Sequence, residues 1–116
     1  MKLGSGTHLP DTENPCVMEY VSRLQGEEFS DHPVCVHPVI ASAARAVNDW
    51  MPDGDRDKLL LLVSSMVGTS GIVTDDEAVS SKISLYINDS GNVNGELADR
   101  LYRYMAFVID LVRSYA

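Results

Sequence analysis

Residues 95–114 read GELADRLYRYMAFVIDLVRS, and their periodicity sets the fold class. Leu97, Leu101, Tyr104, Val108, Leu111 and, just beyond, Tyr115 recur at spacings of three and four. That is the period of one helical face, not of a strand. The segment is expected to start at Asn94 or Gly95 and to end near Ser114. At roughly 20 residues such a helix would be about 30 Å long, nearly the width of a small domain.

The preceding segments carry the same signature. Thr74-Asp75-Asp76-Glu77 has the form of a capping box, and Val79, Ile83, Tyr86 and Ile87 follow at helical spacing. Asn88-Asp89-Ser90-Gly91-Asn92 is expected to break that helix. Residues 55–67 predict a third helix, with Asp53, Asp55 and Asp57 crowding its positive end. Its continuous apolar run, residues 59–63, implies burial from several sides, and leucine outnumbers β-branched residues, which favours helix over strand. Pro38 suits the start of a second helix, with an apolar stripe of Val39, Ala43, Ala46, Val47 and Trp50 and a stop at Pro52 and Gly54. Pro15 opens a first helix with Asn14 as its cap, Val17, Tyr20, Val21 and Leu24 on one face, and Gly26 as its stop.

The expectation is an all-α bundle of about five helices. Residues 15–116 form its single domain, and a structured loop, 27–38, joins helices one and two. Residues 1–14 are polar, contain Gly4, Gly6 and Pro10, and predict a flexible N-terminal arm. The 116 residues, 45% hydrophobic and 22% charged, are ordinary for one globular domain. Seventeen acids against nine bases give a net charge of −8. That balance disfavours direct nucleic-acid or anionic-membrane binding, which needs clustered cations. With no long apolar stretch and no charged-then-apolar leader, the expected location is cytoplasmic.

The chemistry-bearing residues concentrate in the first third. Cys16, His32, Cys35 and His37 are two thiols and two imidazoles, the usual donors for tetrahedral zinc. His32 and Cys35 flank a proline turn, and Cys35 and His37 share a side of an extended chain. The spacing C-x15-H-x2-C-x-H matches no standard finger. A structural zinc here would tie the loop to helix one. Other readings compete. The cysteines are small buried hydrophobes while the histidines cap turns; or Cys16 and Cys35 form a disulfide, which requires an oxidising compartment; or a Cys/His pair acts as nucleophile, oriented by Asp31 or Glu19. No oxyanion-hole signature accompanies the last. Residues 53–57 place carboxylates as a calcium loop does, but Lys58 and Ser64 stand where glycine and glutamate are required. Residues 89–92 fail the same test, and Gly68 and Gly71 lack the lysine of a phosphate loop. Acids at Glu27, Glu28 and Asp31, and at Asp53, Asp55 and Asp57, are candidates for contact with a basic protein surface, or simply confer solubility.

One resemblance is specific. Cys16-Val17-Met18-Glu19, then Gly26-Glu27-Glu28-Phe29-Ser30-Asp31-His32-Pro33-Val34-Cys35-Val36-His37-Pro38-Val39, resembles an uncharacterised family of small actinobacterial and phage proteins. Their shared pattern is close to C-x-M-E … S-D-H-P-x-C-x-x-P-V. Asn48-Asp49 and Val67-Gly68-Thr69 are similar to later pieces of it. The resemblance implies that Cys16, Glu19, Asp31, His32 and Cys35 belong to one motif, with Glu19 as an alternative fourth ligand to His37. It equally fits a structural latch in which Asp31 and His32 bond the start of helix one. The expected role is non-enzymatic protein–protein binding, such as a phage-encoded inhibitor of a host factor or defence complex. The alternatives are a metal- or cysteine-dependent enzyme at Cys16/His32/Cys35, or a homo-oligomeric structural protein. The last would associate through the aromatics of the C-terminal helix, Tyr102, Tyr104, Phe107 and Tyr115.

Overall fold

A computed structural model describes residues 2–90 and 95–116, and every regular element among them is a helix. They are α1 (Val17–Leu24), α2 (Pro38–Trp50), a 3-10 segment (Arg56–Leu62) running into α3 (Val63–Met66), α4 (Asp76–Ser90) and α5 (Leu97–Arg113). The all-α class expected from periodicity is the class observed. α5 packs on α2, α4 and the 3-10 segment, and α1 packs on α2. The body is flat, 40 × 33 × 19 Å.

The core forms where apolar positions recur at helical spacing. Val17, Met18 and Val21 of α1 meet Ile40, Ala44, Val47 and Met51 of the α2 region. Leu59, Val63 and Met66 join Ala98, Met105, Val108, Ile109 and Val112 of α5 in the same cluster. The α2 face is therefore not the expected one. The stripe of Val39, Ala43, Ala46 and Trp50 lies beside the buried one, and only Val47 of the expected set is buried. Leu24 of α1 and Leu97 of α5 are likewise exposed.

The third helix also differs. It is mostly 3-10, and three residues per turn align Arg56, Leu59 and Leu62 on one side. Leu61 is thereby turned out, 73% exposed, so the apolar run is not buried all round. Arg56 is buried instead; it donates to the carbonyls of Asn48 and Met51 at the end of α2. Those carbonyls lack helical partners, and a cation there matches the helix dipole.

Helix starts and stops shift for local reasons. α1 is capped by Cys16, not Asn14, through a reciprocal box with Glu19. α4 is capped by Asp75, not Thr74: its carboxylate accepts from the Ala78 N–H. α4 continues through Asn88 and Asp89 to Ser90; the rest of the expected break, Gly91 and Asn92, and the expected α5 start at Asn94 lie outside the described residues.

The N-terminal stretch does not lie loose. Leu3 is 1% exposed, within the core. The N–H groups of Leu3, Gly6 and His8 donate to carboxylates of Asp57, Asp49 and Glu19 at 2.7, 2.8 and 2.7 Å. Gly4 bonds the Pro15 carbonyl, and a Cβ on it would meet the Asn14 carbonyl at 2.5 Å, so only glycine fits there. Charged acceptors for backbone donors are stronger than neutral ones, which is how so polar a segment stays docked.

Candidate functional site

Cys16 and Glu19 are brought together by the cap of α1. Cys16 Sγ accepts the Glu19 N–H at 3.4 Å, and Glu19 Oε1 accepts the Cys16 N–H at 2.8 Å. The buried Glu19 carboxylate also takes the His8 N–H and pairs with His8 Nδ1, both at 2.7 Å. Burial alone raises the pKa of such a group. The donors on Cys16 and His8 outweigh it and hold Glu19 below the ordinary glutamate value. Burial, with the Glu19 carboxylate beside it, pushes the Cys16 thiol up to about 12.

Cys35 sits in a separate fastening. Glu27 accepts the N–H groups of Val34 and Cys35 at 2.6 and 3.2 Å. The Cys35 thiol beside the same carboxylate is the main reason Glu27 lies below its ordinary pKa. Burial, aided by Glu27, pushes Cys35 up to about 11. The Cys35 carbonyl accepts the N–H groups of Gly68 and Thr69 across the molecule. Buried Thr69, singled out in the sequence only through the Val67-Gly68-Thr69 resemblance, accepts the His37 N–H at 2.9 Å and donates to the Met66 carbonyl at 2.7 Å.

The two histidines go elsewhere. His32 is exposed and pairs with Asp31 at 2.6 Å. His37 caps α2: its Nδ1 accepts the Val39 N–H at 3.1 Å, which leaves the proton on Nε2, 3.4 Å from the Thr74 hydroxyl. That hydroxyl in turn donates to Asp76 at 3.0 Å. His37 therefore donates toward Thr74 rather than accepting its proton.

Of the expected donors, only Cys16 and Glu19 meet. Among the described residues no three His, Cys, Asp or Glu side chains stand together as a metal-binding group. Both cysteines are unpaired. Asp31 and His32 do not bond the start of α1, as the latch expected; that start is held by His8 through Glu19 and by Asn48, whose Oδ1 accepts the Val17 N–H at 3.0 Å. The Asp31 carbonyl is bonded instead by Arg45 of α2. His8 was missed because a lone histidine in a polar stretch carries no spacing signal.

The candidate binding acids also serve the fold. Asp53 pairs with Arg56, Asp55 with Lys58, and Asp57 accepts the Leu3 N–H. Lys58 is held above its ordinary pKa chiefly by Asp55, with Asp99 and Glu96 contributing. The turn at 53–57 and the start of α5 thus form one acidic end. Glu28 is exposed, with no partner among the described residues.

The more extended feature is apolar. The stripe Val39, Ala43, Ala46 and Trp50 faces a groove between α2 and α4, with Tyr104 of α5 as its floor. One end is a cleft of about 690 Å³ at the starts of α2 and α4, where Val79, Ile83 and Asp76 complete the wall. The other, of about 300 Å³, lies between Trp50, Ile87, Leu97 and Arg100. Ala46 and Tyr104 line both. Trp50 is 71% exposed at the rim. Three of the four α5 aromatics named for self-association have partners within the chain: Phe107 stacks on Tyr86 of α4 at 4.3 Å, Tyr104 lies 6.0 Å from Tyr86 while still lining the groove, and Lys82 sits over Tyr115; Tyr102 is half-buried against the core.

No family model matches the chain, and no match was found among curated proteins or solved structures. Among the described residues, no helix is long and apolar enough to cross a membrane.

Proposed function

We propose that this protein acts by binding protein rather than by catalysis, and that the groove between α2 and α4 is where it docks another chain. One observation carries the reading: α2 has two adjacent apolar stripes, and the fold fully buries only one, leaving Val39 and Ala43 half-buried and Ala46 and Trp50 exposed. Ile40, Ala44, Val47 and Met51 are buried, while Val39, Ala43, Ala46 and Trp50 line an open groove. Exposed tryptophan beside a preformed apolar cleft is the composition of an interaction hot spot. The non-catalytic side is supported by the thiols. Burial raises both, so neither carries appreciable thiolate near neutral pH. On the motif resemblance, one role of this kind is a phage-encoded inhibitor of a host factor.

The test is retention of a protein partner by immobilised wild-type chain and by Ala46→Glu. Position 46 is exposed, so the variant should keep its helical circular dichroism and melting temperature. Loss of the partner is the expected result. A partner retained unchanged by Ala46→Glu, or turnover of a small compound that stops on Cys35→Ala without loss of stability, would overturn the reading.

A further inference from the structure

We propose that the occupant of the groove is a second copy of this chain, related by a twofold axis passing near Ala46 and Tyr104. The inference rests on the groove being a docking site and names what fills it.

The groove is complementary to itself. It has a knob at one end, Trp50, and a large cleft at the other, lined by Val39, Ser42 and Ala43. Ala46 and Tyr104, shared by both clefts, mark the middle. Trp50 lies one helical turn beyond Ala46, and Ser42 lies one turn before it. A twofold rotation about the middle therefore lays each Trp50 over the partner's position-42 turn, in the wide cleft. Ser42, Ala43 and Ala46 are small, which lets two α2 helices cross closely.

Charge follows the same symmetry. The lining holds one acid, Asp76, at the wide end and one base, Arg100, at the narrow end. Reversing one groove against the other sets Asp76 of each copy against Arg100 of its mate. Such an isologous contact closes on itself as a dimer. A net charge of −8 per chain opposes association, but the acids at Asp53, Asp55, Asp57, Glu96 and Asp99 are absent from the lining of either cleft. Salt should therefore leave the contact intact or strengthen it by screening the general repulsion, whereas docking on a basic surface would weaken.

The experiment is sedimentation velocity on the full chain, with fluorescence of its single tryptophan. The expected result is a species of twice the 12.7 kDa chain mass, with Trp50 emission shifting to the blue as concentration rises. Trp50→Ala and Ala46→Glu should give monomer. Arg100→Glu places like charges together twice and should weaken the dimer about tenfold; adding Asp76→Lys should restore it, a rescue that mere damage to α4 would not produce. A monomer at several hundred micromolar, a dimer indifferent to Trp50→Ala and Ala46→Glu, or a double swap without rescue would overturn self-pairing. A monomer whose other protein partner is still lost on Ala46→Glu would overturn the second copy alone and leave the docking site standing.

Discussion

Glu19 is the residue on which most local order converges. A buried carboxylate is costly unless its lone pairs are filled, and here backbone and ring donors fill them. Glu19→Gln leaves one acceptor and points amide hydrogens at groups that are themselves donors. It should cost about 1.5–3 kcal/mol in urea unfolding. The pH dependence follows from the direction of the shift. The folded pKa lies below that of the unfolded chain, so the unfolded state binds the proton more readily as pH falls. The stabilisation is complete above the ordinary glutamate value of about 4.3 and is lost as pH drops through the lower folded value. In Glu19→Gln that part of the acid loss should be missing, leaving a flatter stability profile between neutral pH and acid.

At the scale of elements, the N-terminal stretch and α2 show how a pattern can be read correctly and placed wrongly. The stretch holds many polar residues and no periodicity, yet three carboxylates from three different elements grip its backbone, and one leucine reaches the core. Leu3→Ala should therefore destabilise by about 2–5 kcal/mol in denaturant unfolding; a change under about half a kcal/mol would mean that the stretch contributes little. In α2 the stripe of Val39, Ala43, Ala46 and Trp50 does have helical spacing, but the adjacent stripe is the one α1 and α5 cover. Periodicity locates an apolar face and does not say which of two such faces meets the core.

At the scale of the molecule, α2 and α5 make up the centre and α4 a wing. Among the described side chains of α4 only Val79 is buried, and the helix otherwise leans on the rest through half-buried Ile83 and through Tyr86 against Phe107 and Tyr104. Amide hydrogen exchange should therefore be slowest in α2 and α5 and fastest, among the long helices, in α4. Protection of α4 equal to that of α5 would show that the flat body unfolds as one unit. Helix spacing and proline and glycine punctuation are local, and so the sequence by itself determined the all-α class, the approximate helix positions and the structured loop after α1. The tertiary structure alone decided the rest: that His8 completes the cap of α1, that Thr69 and Asn48 pin distant loops, that Cys16, His32, Cys35 and His37 satisfy separate neighbours rather than one another, and that an apolar stripe of α2 is left open. Those outcomes depend on which distant groups arrive at the same place, and hydrogen-bond donors of identical chemistry at different sequence separations leave no local trace of the partner they will find.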